Sequence, residues 1–202
     1  MQEHLFRIHL SDGSVIRTQD YVIAELALHT GMELSEELLH TLKQQAGKAS
    51  ARARAVRIIS ASGVSRKDLE YRLVQKGERP EDARDAVDWL SELELLDDAR
   101  TAEQLVHSAV AKGYGKGRIR QILYQKQIPE EYWEEALAQV PDMDNAVDQF
   151  LSRRLQGRSP NEKELKRTID ALLRRGHSWQ DIREGLRRYD DSLTAEMEDP
   201  YE

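Results

Sequence analysis

Ser65–Leu90 reads SRKDLEYRLVQKGERPEDARDAVDWL, and Gly115–Val140 reads GKGRIRQILYQKQIPEEYWEEALAQV. The two stretches share few identical residues, yet they carry one pattern. Aligned on Gly77 and Gln127, each has a leucine four residues earlier (Leu73, Leu123) and a lysine one residue earlier (Lys76, Lys126). After the anchor, Ala83, Ala86, Val87 and Leu90 in the first stretch correspond to Trp133, Ala136, Leu137 and Val140 in the second. That spacing is the apolar stripe of an amphipathic helix. A third stretch, anchored on Gly176, fits without adjustment: Leu172 and Arg175 precede it, and Ile182, Gly185, Leu186 and Tyr189 follow at the same four offsets. Repetition at this period is the signature of stacked helical units.

Each unit reads as three helices. The first helices are expected over Ala49–Ser62 (with Val56 and Ile59 inward), Ala99–Lys112 (with Val106 and Ala109 inward) and Asn145–Leu155. Ser65 with Asp68 and Ser178 with Asp181 have the spacing of capping boxes, and Ser159-Pro160 with Glu162 resembles a cap followed by a first-turn proline. Pro80 and Pro129 suit helix starts; Gly63, Gly77, Gly113 and Gly176 suit helix ends. Upstream, LFRIHLSDGSVIR reads as strand, Asp-Gly turn and strand. A short helix is expected over Tyr21–Thr30, and another, capped by Ser35, over Glu36–Gly47 with room to run on into the first repeat. The expected fold is therefore mainly α: tandem three-helix repeats in an elongated array, with a small N-terminal β-hairpin and helix subdomain. The divisions fall at 1–48 (hairpin and helices), 49–97, 98–141 and 142–189 (the three repeats), and 190–202, an acidic tail without apolar periodicity that is expected to be mobile.

Charge is unevenly spread. The 202-residue chain has a formal net charge of −7, but Asp190–Glu202 alone carries six acids and no lysine or arginine. From Gln104 to Pro129 there is no acid at all, while Lys112, Lys116, Arg118, Arg120 and Lys126 are present. A second basic group, Arg174 and Arg175, closes the middle helix of the third repeat. The net figure thus averages an acidic tail with basic patches able to meet acidic protein or nucleic-acid phosphate.

Chemistry is sparse. With no cysteine, disulfides and thiolate metal sites are excluded, and a reducing cytoplasm is the expected compartment. No signal peptide and no span of the ~18 apolar residues a membrane helix needs is evident. None of the six histidines has a second ligand at helical spacing, so they read as solvated or capping groups. Asp97-Asp98 reads as a helix cap rather than a catalytic pair. Trp89, Trp133 and Trp179 read as packing residues. AKGYGKGRIRQ, from Ala111, has two readings: glycine amides beside Lys116, Arg118 and Arg120 that grip a phosphate or carboxylate, or an interhelix turn followed by a solvated basic face. The sequence leaves both open, although the missing Gly-Lys-Ser/Thr ending rules out a P-loop.

SRKDLEYRLVQKG, LLDDARTAEQLV, GKGRIRQILYQKQI and LLRRGHSWQDIREGL, in that order over residues 49–189, resemble the RecX family of regulators of the RecA recombinase. The carriers are Leu96-Asp97-Asp98, Gly115 through Arg118-Ile119, and the Lys76-Gly77 and Arg175-Gly176 endings. Gln127 stands where the family has glycine, His177 where it has an apolar or aromatic residue, and Thr101 where it has an aromatic one. The resemblance implies three tandem three-helix repeats that bind along the groove of the RecA nucleoprotein filament and restrain its activities, thereby regulating recombination, DNA repair and SOS-type responses. It implies no enzyme activity, no cofactor or metal and no membrane partner, and a monomer that contacts RecA, with single- or double-stranded DNA as a further partner. The candidate contacts are Lys112, Lys116, Arg118, Arg120, Lys126, Arg174 and Arg175. A helical protein acting on DNA without RecA is the alternative.

Overall fold

The structure, a computed structural model, describes residues 5–194. The chain divides into two compact units, 1–97 and 98–202.

In the first unit, β1 (Leu5–His9) and β2 (Val15–Gln19) pair antiparallel with Ile8 opposite Ile16. Asp12 closes the turn by accepting hydrogen bonds from the Ser14 backbone N–H and hydroxyl, and Gly13 supplies the positive φ. A two-stranded hairpin is marginal alone. This one is supported by α1 (Asp20–Glu25) and by the first half of α2 (Glu36–Ala61), around Val22 and Leu42 with Ile8 and Ile16 packed on them. The α1 helix is shorter than expected: the chain leaves it through Ala27, which has a positive φ.

The helices expected over Glu36–Gly47 and Ala49–Ser62 are one continuous helix, capped by the Ser35 hydroxyl. Its second half belongs to the first repeat, with α3 (Arg66–Gln75) and α4 (Pro80–Glu92). Of the two residues expected inward, Ile59 packs on this core and Val56 does not. Ala51 and Ala55 are buried and Ile58 packs beside them, whereas Val56 faces solvent. They take the places held by Ala102, Val106 and Ala109 in the second repeat. Val56 stands next to Ala55, and periodicity alone favours the more apolar of the two. Arg52 lies 5.1 Å from the Trp89 ring centroid and pairs with Asp85, tying α2 to α4.

The second unit holds two repeats. One comprises α5 (Asp98–Ala111), α6 (Lys116–Gln125) and a 3₁₀ turn (Glu130–Tyr132) running into α7 (Trp133–Ala138). The other comprises α8 (Asp144–Leu155), α9 (Glu162–Arg174) and α10 (Trp179–Tyr189). Each has its own apolar cluster, centred on Val106, Ile119 and Leu123 and on Val147, Leu172 and Leu186. Gly185 lets α10 approach Val147 of α8 where a Cβ would collide. The α9 cap is Asn161, in a reciprocal box with Glu164, rather than the expected Ser159. Asp190 accepts a hydrogen bond from Ser159, and Leu193, in a 3₁₀ turn over Asp191–Thr194, packs on the third cluster. The rest of the expected acidic tail, 195–202, lies outside the described residues.

The three anchors do the same job. At Gly77, Gln127 and Gly176 the backbone turns left-handed, with φ of 91°, 52° and 83°. The anchor N–H donates to Val74, Tyr124 and Leu173 respectively, and the next N–H reaches back to Leu73, Leu123 and Leu172. This is one Schellman closure made three times, and it sets the turn into the third helix of each repeat.

Candidate functional site

The stretch AKGYGKGRIRQ forms the joint between the two repeats of the second unit. The N-terminus of α6 leaves backbone donors unsatisfied, and the C-terminus of α9 leaves acceptors. They meet: the Gly115 N–H donates to the Arg175 carbonyl at 2.9 Å and the Gly117 N–H to the Gly176 carbonyl at 3.0 Å. The positive end of one helix dipole therefore faces the negative end of another. The glycine amides that the sequence offered for an anion are engaged here instead. Gly115 caps α6 without a side chain where the first repeat has Ser65, because a Cβ at Gly115 would strike the Gly176 carbonyl. Glycine is tolerated at this cap position at little cost.

Arg175 completes the joint. Its Nη1 donates to the carbonyls of Lys112 at 2.9 Å and Gly113 at 3.4 Å. Its guanidinium lies 5.1 Å from the Phe150 ring centroid and 5.6 Å from that of Tyr114. A cation at the end of α5 also suits that helix's dipole. His177, expected to be solvated or capping, is only 4% exposed. Its Nε2 lies 3.2 Å from the Gly113 carbonyl, which requires a protonated Nε2. Among the described residues Nδ1 has no hydrogen-bond partner, as suits a neutral ring. Burial is the main reason its pKa falls below the usual value; Arg175 adds to that, while the Gly113 contact and Asp181 oppose it.

A broad groove of about 1200 Å³ runs beside the joint. Lys116, Arg118, Arg120, Arg174 and Arg175 all border it, so five of the seven sequence candidates converge there. Asp142 and Asp181 also line it. Lys116 and Arg120 are exposed on one face of α6, while Ile119 and Leu123 are buried on the other. Arg118 is half-buried and donates to the Gln121 side chain. Lys112 borders a neighbouring hollow with Arg153, Arg154 and Arg175, and Lys126 lies at the far end of α6.

Two features escaped the sequence reading. Tyr124 is 73% exposed and continues the Lys116–Arg120 line at the same four-residue step, which is the signal that would have found it. Arg153 and Arg154, in the last turn of α8, border the hollow with Lys112; their adjacency in the sequence is the signal that would have found them. Trp133 spends its indole N–H on the Ile128 carbonyl, and Trp89 packs against the first core. Among the described residues no group of His, Asp and Glu is arranged to hold a metal ion, and no helix is long and apolar enough to cross a membrane.

The fold defines a tandem three-helix repeat protein with a small N-terminal hairpin, and a basic groove lies between the two repeats of its second unit. Residues 97–137 match the second three-helix domain of RecX. The regulatory protein RecX of Chromohalobacter salexigens is 31% identical over 142 residues, covering 69% of this chain and 92% of that one. The RecX of Vibrio parahaemolyticus gives the same identity and coverage. A crystal structure of a regulatory protein RecX superposes with a TM-score of 0.65 at 22% identity, over 91% of this chain and 94% of the other. RecX from Lactobacillus salivarius gives a TM-score of 0.60 at 20% identity, over 71% of this chain and 97% of that one. The chain belongs to the RecX family, and it is a regulatory protein rather than an enzyme.

Proposed function

We propose that this protein binds the RecA nucleoprotein filament and restrains its recombinase and ATPase activities through the α6 face and the adjoining basic groove. One observation carries the reading: Lys116, Arg120 and Tyr124 stand at successive four-residue steps on α6, with the tyrosine 73% exposed. An exposed aromatic flanked by cations is the composition of a protein-binding hot spot. Among the described residues the side chains of Lys116, Arg120 and Tyr124 make no hydrogen bond or ion pair, unlike Arg175, which is engaged in the joint. To act as a regulator the protein must bind one filament state more tightly than another.

The test is the double reversal Lys116→Glu with Arg120→Glu. Both residues are exposed and contribute little to folding, so the fold is retained. RecA ATPase on single-stranded DNA is measured with substoichiometric protein, alongside free-DNA binding. Loss of inhibition with DNA binding intact supports a RecA contact. Parallel loss of both favours the alternative, action through DNA. A folded variant that inhibits like the parent removes this face from the site.

A further inference from the structure

Three hollows of the second unit share arginines. Arg175 borders both the groove beside α6 and the hollow under Lys112. Arg154 borders that second hollow and a third, of about 290 Å³, between the end of α8 and the start of α9. The third hollow is lined by Arg154, Arg158 and Arg167 with Ser159, Glu164 and Thr168.

This corner is built. Thr168 is 1% exposed. Its hydroxyl donates to the Glu164 carbonyl at 2.7 Å and accepts from Arg154 Nε at 3.1 Å. A buried threonine therefore holds the guanidinium from behind, and among the described residues neither Nη of Arg154 is engaged. Arg158 and Arg167 are exposed, and among the described residues neither guanidinium has a hydrogen bond or ion pair. The one carboxylate bordering the hollow, Glu164, accepts from the Asn161 N–H of its own helix cap. All three arginines line one hollow, and Arg154 is held there through its Nε, which leaves its two Nη groups to bind a ligand. That is the geometry arginine uses for a bidentate oxyanion.

We infer that Arg154, Arg158 and Arg167 form a phosphate-binding site on the third repeat, positioned by Thr168, and that its ligand is the sugar–phosphate backbone of a nucleic-acid strand. The hollow has room for one phosphate. The cation-lined hollows that adjoin it suit a polymer with one negative charge at every step rather than the irregular carboxylates of a peptide. None of the seven basic residues read from the sequence forms the trio, and the site does not depend on a RecA contact.

The test uses the full chain without RecA, so its failure leaves the filament reading untouched. Binding of a fluorescent oligothymidylate is followed by anisotropy across a salt series. Replacing the three arginines with glutamine should weaken binding about tenfold or more and lower the slope of log affinity against log salt by about 0.7, the contribution of the one single-strand phosphate the hollow holds. Thr168→Val keeps the buried volume and should weaken binding by a smaller factor. Arg154→Lys should not restore full affinity, because lysine lacks the fork. An abasic strand should bind as the oligothymidylate does. If the folded triple variant keeps the parent's affinity and slope, the site is refuted. It is equally refuted if Thr168→Val and Arg154→Lys are both silent. If polyglutamate competes as well as the oligonucleotide at equal charge, the ligand is an acidic protein segment. If inorganic phosphate at millimolar concentration displaces the strand completely, it is the free anion.

Discussion

Residues at equivalent positions of the three repeats carry different burdens. Gly77 and Gly176 both have left-handed φ, but a Cβ at Gly77 would meet nothing within 4 Å, whereas one at Gly176 would collide with the backbone of Arg118. Alanine at Gly77 should therefore cost only the left-handed penalty of about 1–2 kcal/mol. Alanine at Gly176 should cost that and more, because the joint must open. Equal losses in urea denaturation would mean that the joint contributes nothing. The same comparison explains Gln127. It has φ 52° at a position that glycine fills in the other two repeats, so Gln127→Gly should raise stability by about 1 kcal/mol. A lower denaturation midpoint would show that the glutamine side chain makes a compensating contact. The anchors were legible in the sequence because their offsets recur. The collision at Gly176 was not, because it depends on which repeat docks where, and no local pattern encodes that.

Elements meet at their ends in the second unit, and titration at that junction is measurable. The middle helices, α6 and α9, were readable from caps and stripe, but their end-to-end contact was not, so the glycines of AKGYGKGRIRQ stood equally well for an anion cradle or a turn. His177 sits at the contact with the Gly113 carbonyl; Asp181 and Arg175 are the charges that act on it. Its pKa is lowered by burial, so the unfolded chain takes up the proton first, near the ordinary value of about 6.5. The associated stability is complete above that pH and is lost as pH falls below it. Glutamine can present its side-chain N–H₂ near where Nε2 lies but does not titrate. His177→Gln should thus lose less stability than the parent between pH 7.5 and 5.5, as read from urea midpoints at each pH. Identical pH dependence in both proteins would mean that His177 stays uncharged or is already solvated across this range.

The molecule as a whole is a series of small cores rather than one large one. Clusters around Leu42, around Leu69, Leu73 and Leu90, around Ile119 and Leu123, and around Leu172 and Leu186 are separate. The sequence foreshadowed this through its charged composition and recurring stripe. It placed Ile59 correctly on the first core but chose Val56 over Ala55, because Val56 is the more apolar of the two, and burial follows the docking of α2 on α3 and α4 rather than side-chain hydrophobicity. In such a chain each repeat is stabilised mainly by itself and its nearest neighbour. A lesion in one core should therefore act locally. Leu172 is fully buried in the third cluster, and Leu172→Ala should cost about 2–5 kcal/mol there. Native-state hydrogen exchange reads the outcome element by element. Protection in α8, α9 and α10 should fall steeply and that in α6 partially, since the Gly115 and Gly117 amides donate to the end of α9. Protection in α3 and α4, which pack on the core around Leu69, Leu73 and Leu90, should stay at the parent's level. A uniform loss of protection across all three repeats would mean that the cores unfold as one cooperative unit.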